Sequence, residues 1–161
     1  MTTISTVAEV TIELASEAAT QALAAGIARL ARAGDVIALR GELGSGKTSF
    51  ARGFIRALGR GDEEVPSPTF TLVEQYDLDR LQVWHFDLYR LAKPEDAYEL
   101  GLEEALAGGV LLIEWPERLG ALLPRERLDV TLTAGTSPDR RRAVLKGSPR
   151  WERRLREIGR R

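Results

Sequence analysis

Gly41-Glu-Leu-Gly-Ser-Gly46-Lys47-Thr48 matches the pattern G-x-x-x-x-G-K-[ST]. Such a loop works only between an apolar strand and the start of a helix. Both neighbours are present. Asp35-Val-Ile-Ala-Leu-Arg40 reads as a buried strand, and Lys47 to Leu58 places Phe50, Phe54 and Leu58 on one helical stripe. Gly41, Gly44 and Gly46 let successive backbone N–H groups turn inward around phosphate oxygens, conformations that a Cβ would obstruct. The helix N-terminus adds its dipole, Lys47 supplies a mobile charge to the β- and γ-phosphates, and Thr48 presents a hydroxyl to Mg²⁺. Lys47 is one of only three lysines in 161 residues, so its placement does not reflect lysine abundance. The whole segment is therefore assigned to nucleotide binding, with Glu42, Leu43, Ser45 and Ser49 supplying the intervening positions and the first helical turn.

Around this loop the chain reads as one three-layer α/β P-loop NTPase domain over residues 1–161, with a mixed parallel and antiparallel sheet. Val7 to Leu14 alternates as a first strand. Ser16 caps a helix whose inner face carries Ala19, Leu23, Ile27 and Leu30, and Gly34 ends it. Beyond the P-loop helix, Thr69 to Tyr76 and Leu81 to Tyr89 are strand-like runs joined by a turn short enough to make them antiparallel. A helix is expected from Pro94 or Glu95 to Leu106, then a central strand, Gly109-Val-Leu-Leu-Ile-Glu114. A short helix near Leu119, strands near Leu128–Thr133 and Arg141–Lys146, and a terminal helix over 149–161 complete the set.

Composition removes much other chemistry. Zero Cys excludes disulfides, thiolate zinc sites and a thiol nucleophile, and the lone histidine, His85, excludes a multi-His metal centre. The first 28 residues hold no Lys or Arg, and the longest strongly apolar run, Val110 to Ile113, is far below the ~20 residues that span a bilayer. A soluble cytoplasmic protein is expected. Net charge is −1 overall, yet residues 140–161 hold ten basic and two acidic side chains. That tail is either a solvated helix docked through Trp151, Leu155 and Ile158, or a contact surface for an acidic partner or tRNA.

A P-loop site also needs a carboxylate at the end of a neighbouring strand to anchor the metal shell. Glu114 ends the stronger core strand and is favoured for the metal with Thr48. Asp87, after Val83-Trp-His-Phe, is then the candidate for orienting or deprotonating the attacking water. On sequence alone the two roles can be exchanged. Pro66-Ser-Pro-Thr-Phe-Thr71 can bring a hydroxyl towards the γ-phosphate and respond to its loss, or simply stiffen the entry to a strand.

Together these segments resemble the TsaE family, the small P-loop ATPases of tRNA threonylcarbamoyladenosine biosynthesis. The resemblance rests on Gly41–Thr48, Ser67-Pro-Thr-Phe-Thr-Leu-Val73, His85-Phe-Asp-Leu-Tyr-Arg-Leu91 and Leu112-Ile-Glu-Trp-Pro-Glu117, in order and spacing from about residue 10 to 147. It implies an ATP- and Mg²⁺-dependent ATPase acting with the TsaB and TsaD proteins on adenosine 37 of tRNA, with tRNA reached indirectly. By the same resemblance Lys47 and Thr48 hold phosphate and Mg²⁺, Glu114 is a Mg²⁺ ligand, Asp87 assists hydrolysis and Trp115 lies beside the nucleotide. His85 is expected to orient the Asp87 strand rather than to carry a proton. Glu42 stands where the family usually has Asp, which keeps the charge. Family members place one Arg of the late strand pair near the nucleotide, and alternation within Arg140-Arg-Arg142 favours Arg141. A nucleotide-dependent interaction module and a small-molecule kinase are the competing readings.

Overall fold

The structure, a computed structural model, describes residues 8–159; Val7 and the terminal Arg160 and Arg161 lie outside them. Seven strands form one sheet: β1 (Ala8–Leu14), β2 (Val36–Arg40), β3 (Val73–Asp77), β4 (Gln82–Asp87), β5 (Val110–Glu114), β6 (Leu128–Ala134) and β7 (Arg141–Gly147). Their order is β1-β7-β6-β2-β5-β4-β3. β4, β5, β2 and β6 run parallel, and antiparallel pairs close both flanks. The helices are α1 (Glu17–Leu30), α2 (Lys47–Leu58), α3 (Leu102–Gly108) and α4 (Glu152–Gly159), with 3-10 segments at Pro94–Leu100, Pro116–Leu122 and Pro149–Trp151. Among the described residues no helix is long and apolar enough to cross a membrane.

Strand alternation divides the core into two layers. Ile37 and Leu39 of β2 and Val110 and Leu112 of β5 pack with Ile27 of α1, Phe50 and Phe54 of α2, and Leu155 of α4. Their sequence neighbours Val36, Leu111 and Ile113 face the other way, with Trp84 and Phe86, onto Ala97, Leu102 and Ala105. β2 is buried on both faces, as a central parallel strand must be. Ser16 caps α1 as expected, its Oγ accepting the Ala19 N–H at 3.1 Å.

Three expectations need correction. The helix expected from residue 94 to 106 is two segments, because Gly101 adopts φ +91° and ends the first. A Cβ there would lie 2.8 Å from the Trp84 ring, so glycine serves both the turn and the close approach. The strand expected from Thr69 begins only at Val73. Leu72 N–H donates to Pro68 O at 2.7 Å while Leu72 O accepts the Asp87 N–H at 3.0 Å, which curls residues 68–72 over the end of β4. Finally, the Arg face of the terminal helix is not all in water. Trp151, Leu155 and Ile158 dock as expected, but Arg154 is buried with them. Its Nη1 and Nη2 reach the two carboxylate oxygens of Asp35 at 2.6 and 3.2 Å, and its guanidinium stacks 3.6 Å above the Trp151 ring. α4 is thereby pinned to the entry of β2, the end opposite the P-loop.

Candidate nucleotide-binding site

Register and alternation assemble the site. Glu114, the last residue of β5, pairs with Leu39 on one side and Asp87 on the other. Parity puts Glu114 on the face of Val110 and Leu112, and Asp87 on the face of Val83, the face covered by α2. Both carboxylates therefore meet the N-terminus of α2 where it leaves the P-loop.

The loop is shaped by left-handed glycines: Gly41 at φ +146°, Gly44 at +78° and Gly46 at +106°. At Gly41 a Cβ would stand 2.5 Å from Leu132 O, so the loop can lie this close to β6 only with glycine. Gly46 caps α2 with no side-chain acceptor, which leaves the first-turn N–H groups free for an anion. The Ser45 hydroxyl is buried without a hydrogen-bond partner beside them. A cleft of about 270 Å³ opens here, bounded by Leu43 to Ser49, Ser67, Thr69, Asp87, Glu114 and Trp115. A backbone cradle, a buried unpartnered hydroxyl and a lysine suit the phosphates of a nucleotide.

Lys47 is buried, and its Nζ donates to Gly41 O and, at 3.1 Å, to Glu42 O. It also sits 4.0 Å from the Trp115 ring centroid. Burial lowers the Lys47 pKa, against the opposing pull of Glu114, Asp87 and Glu117. Thr48 Oγ1 donates to Glu114, 3.1 Å from Oε1 and 3.2 Å from Oε2. Hard oxygens from a hydroxyl and a carboxylate suit Mg²⁺. The described residues contain no group of three or more His, Cys, Asp or Glu side chains placed to hold an ion by themselves, so phosphate and water would have to complete its shell. Asp87 is held by Tyr89 N–H at 3.1 Å and Thr69 Oγ1 at 3.4 Å. Burial raises its pKa and the Glu114 charge adds to the rise, while the Tyr89 and Thr69 donors and nearby His85 oppose it.

The structure thus brings Lys47, Thr48, Asp87, Glu114 and Trp115 to one cleft. Gly41 and Glu42 contribute carbonyls to Lys47 from behind it, and the Glu42 side chain is exposed. Arg141 approaches from outside the cleft: its Nε donates to Ser45 O at 2.9 Å and its Nη2 to Gly44 O at 3.1 Å. By engaging these carbonyls it favours a loop whose N–H groups face inward. It also lines, with Glu17 and Ser49, a recess adjoining the loop. Arg142, by contrast, pairs with Glu13 on the surface. The 66–71 loop does deliver hydroxyls, Ser67 and Thr69, to the cleft.

Two contacts escape sequence reasoning. Ser49 Oγ donates to Glu17 at 3.1 Å, a pairing of α2 with α1 that no motif announces. His85 bonds Glu114 on the neighbouring strand β5. Strand alternation puts His85 on the Asp87 face, but only the β4–β5 register identifies its partner.

The family model described as threonylcarbamoyl adenosine biosynthesis protein TsaE matches residues 14–143. The chain belongs to the TsaE family. It is 42% identical over 121 residues to the tRNA threonylcarbamoyladenosine biosynthesis protein TsaE of Rickettsia conorii, covering 75% of this chain and 69% of that one. The Bacillus subtilis protein of the same name is 37% identical over 142 residues, 88% of each chain. The crystal structure of Bacillus subtilis YdiB superposes with a TM-score of 0.81 at 32% identity, over 96% of this chain and 97% of that one. The TsaE match spans the P-loop, both candidate carboxylates and Trp115, and stops short of α4.

Proposed function

We propose that this chain binds ATP with Mg²⁺ in the P-loop cleft and hydrolyses it in support of threonylcarbamoyl modification of adenosine 37 in tRNA, acting with the TsaB and TsaD proteins. The observation that carries the reading is the convergence of Lys47, Thr48, Asp87 and Glu114 on one cleft at the end of three adjacent parallel strands. The modification pathway rests on family membership and on the names of the relatives, and the partnership with TsaB and TsaD is what the resemblance to the family implies.

In this reading the loop N–H groups and Lys47 bind and orient the β- and γ-phosphates. Thr48 and Glu114 would hold Mg²⁺, which would supply charge neutralisation for the phosphates. Asp87 accepts a hydrogen bond from the water that attacks the γ-phosphorus in line, and its raised pKa brings it closer to a useful base. The Pγ–O bond to ADP breaks as the new P–O bond forms. Slow turnover is expected of the isolated chain, with partners closing the site. Leu43 in the cleft wall is 72% exposed, and Phe70 next to Thr69 is 83% exposed, which gives a partner an apolar rim to cover.

That rim also favours a second reading, in which ATP only selects a binding conformation. Turnover and tRNA modification, measured with and without purified TsaB and TsaD proteins, separate the two. The enzyme reading expects turnover to rise with partners and both readouts to fail in Asp87→Ala and Glu114→Ala. Turnover unchanged by partners would remove their proposed role. Modification retained by a hydrolysis-dead Asp87→Ala would leave only the second reading.

A further inference from the structure

His85 lies mid-strand in β4, completely buried on the face that carries Asp87. It pairs in register with Leu112, so Glu114 is its diagonal neighbour across the β4–β5 pair. Its Nε2 stands 2.6 Å from Glu114 Oε2, while its Nδ1 is buried with no partner. A carboxylate is the acceptor in that contact, so Nε2 is the donor. Glu114 is thus gripped from two sides, by the imidazole on Oε2 and by the Thr48 hydroxyl spanning both oxygens.

We propose that His85 is a positioning residue for the metal carboxylate. Its Nε2–H locks the Glu114 side chain so that Oε1 and Thr48 Oγ1 are presented together to the divalent ion of a bound nucleotide. The inference rests on the metal–nucleotide reading of the cleft. A glutamate freed of this contact regains rotamers that leave Thr48, and the ion loses a preorganised ligand. Outer donors of this kind are worth about 10- to 100-fold in metal affinity.

Mn²⁺ binding to the ADP complex, followed by the free-ion electron paramagnetic resonance signal, reads this directly, alongside fluorescent ADP affinity without divalent ion. His85→Leu keeps the buried volume but removes the donor, whereas His85→Gln retains an N–H near the Nε2 position. His85→Leu is expected to weaken Mn²⁺ about 10- to 100-fold, with metal-free ADP affinity unchanged within about twofold, and His85→Gln to recover most of the loss. Equal losses in both affinities, no loss of Mn²⁺ binding in His85→Leu, or no recovery in His85→Gln would overturn the proposal. If wild-type protein itself showed no Mn²⁺ binding with ADP, the underlying metal reading would fail instead. Because His85 is the only histidine, its imidazole ¹⁵N signals need no assignment, which gives a test free of mutation. They should report a proton on Nε2 and shift when Mg²⁺ joins the ADP complex. A proton on Nδ1 with Nε2 bare, or signals unmoved by Mg²⁺, would overturn it.

Discussion

Thr48 Oγ1 lies 3.1 and 3.2 Å from the two carboxylate oxygens of Glu114, joining the first turn of α2 to the end of β5. The contact makes the hydroxyl and the carboxylate one unit, poised at the phosphate cradle, and among the described residues no three His, Cys, Asp or Glu side chains are grouped to hold an ion by themselves.

If that unit carries the metal, Glu114→Gln removes charge but little volume and should act through the ion alone. Turnover is expected to fall about 100-fold or more, while nucleotide affinity in the presence of a chelator stays within a few-fold. Thr48→Ala should show the same pattern. Steady-state turnover and metal-free ADP titration check it, and a parallel loss of metal-free affinity would place Glu114 in phosphate binding instead.

Asp87→Asn should separate chemistry from stability. Turnover is expected to drop about 10²- to 10⁴-fold with Mg·ATP affinity retained. The fold should become more stable, because burial raises the Asp87 pKa above its ordinary 3.8 and its charged form is held at a cost. A raised carboxylate pKa costs nothing below the ordinary value, and the cost grows as pH climbs through the raised one. The melting-temperature advantage of Asp87→Asn should therefore be small near pH 4 and larger at pH 7. An advantage that shrinks with rising pH would contradict burial as the dominant cause.

Both carboxylates were legible in the sequence because each ends an apolar run, and such runs become central parallel strands whose ends form the crevice. The P-loop was legible for a similar reason: its glycines, lysine and threonine are set by local backbone geometry. The 94–106 segment was not, since its helical spacing survives across Gly101, where a left-handed turn packed against the Trp84 ring makes the break. Residues 69–72 carry β-branched and aromatic side chains suited to a strand, but the end of β4 claims the backbone of Leu72. Arg154 hid inside a run of arginines, because its partner Asp35 lies 119 positions earlier in the chain.

That pair yields a stability prediction. Arg154→Ala leaves Asp35 buried without its bidentate partner and should cost about 3–5 kcal/mol in urea unfolding. The exposed Arg153 serves as the control, and Arg153→Ala should stay within about 0.5 kcal/mol. A double Arg154→Met, Asp35→Asn variant should recover part of the loss, since the charge left unpaired is gone. An Arg154→Ala cost no larger than that of Arg153→Ala would show that α4 is held by Trp151, Leu155 and Ile158 without help from the ion pair.

Trp115 offers an optical reading of the same cleft. It adopts φ +59°, an uncommon conformation for a bulky residue, and this sets its ring beneath Lys47 Nζ and against Tyr89, 4.9 Å between centroids. Lys47 must leave Gly41 O and Glu42 O to reach phosphate, which changes the charge above the indole. Trp84 and Trp151 are buried and do not line the cleft, so a change in emission on adding ADP should come from Trp115. Trp115→Phe should abolish the signal with ADP affinity reduced by no more than about tenfold, the worth of a partly exposed cation–π contact. Lys47→Ala should abolish binding itself, measured independently by calorimetry. An undiminished signal in Trp115→Phe would mean that nucleotide binding perturbs the core tryptophans and that Lys47 does not move against Trp115.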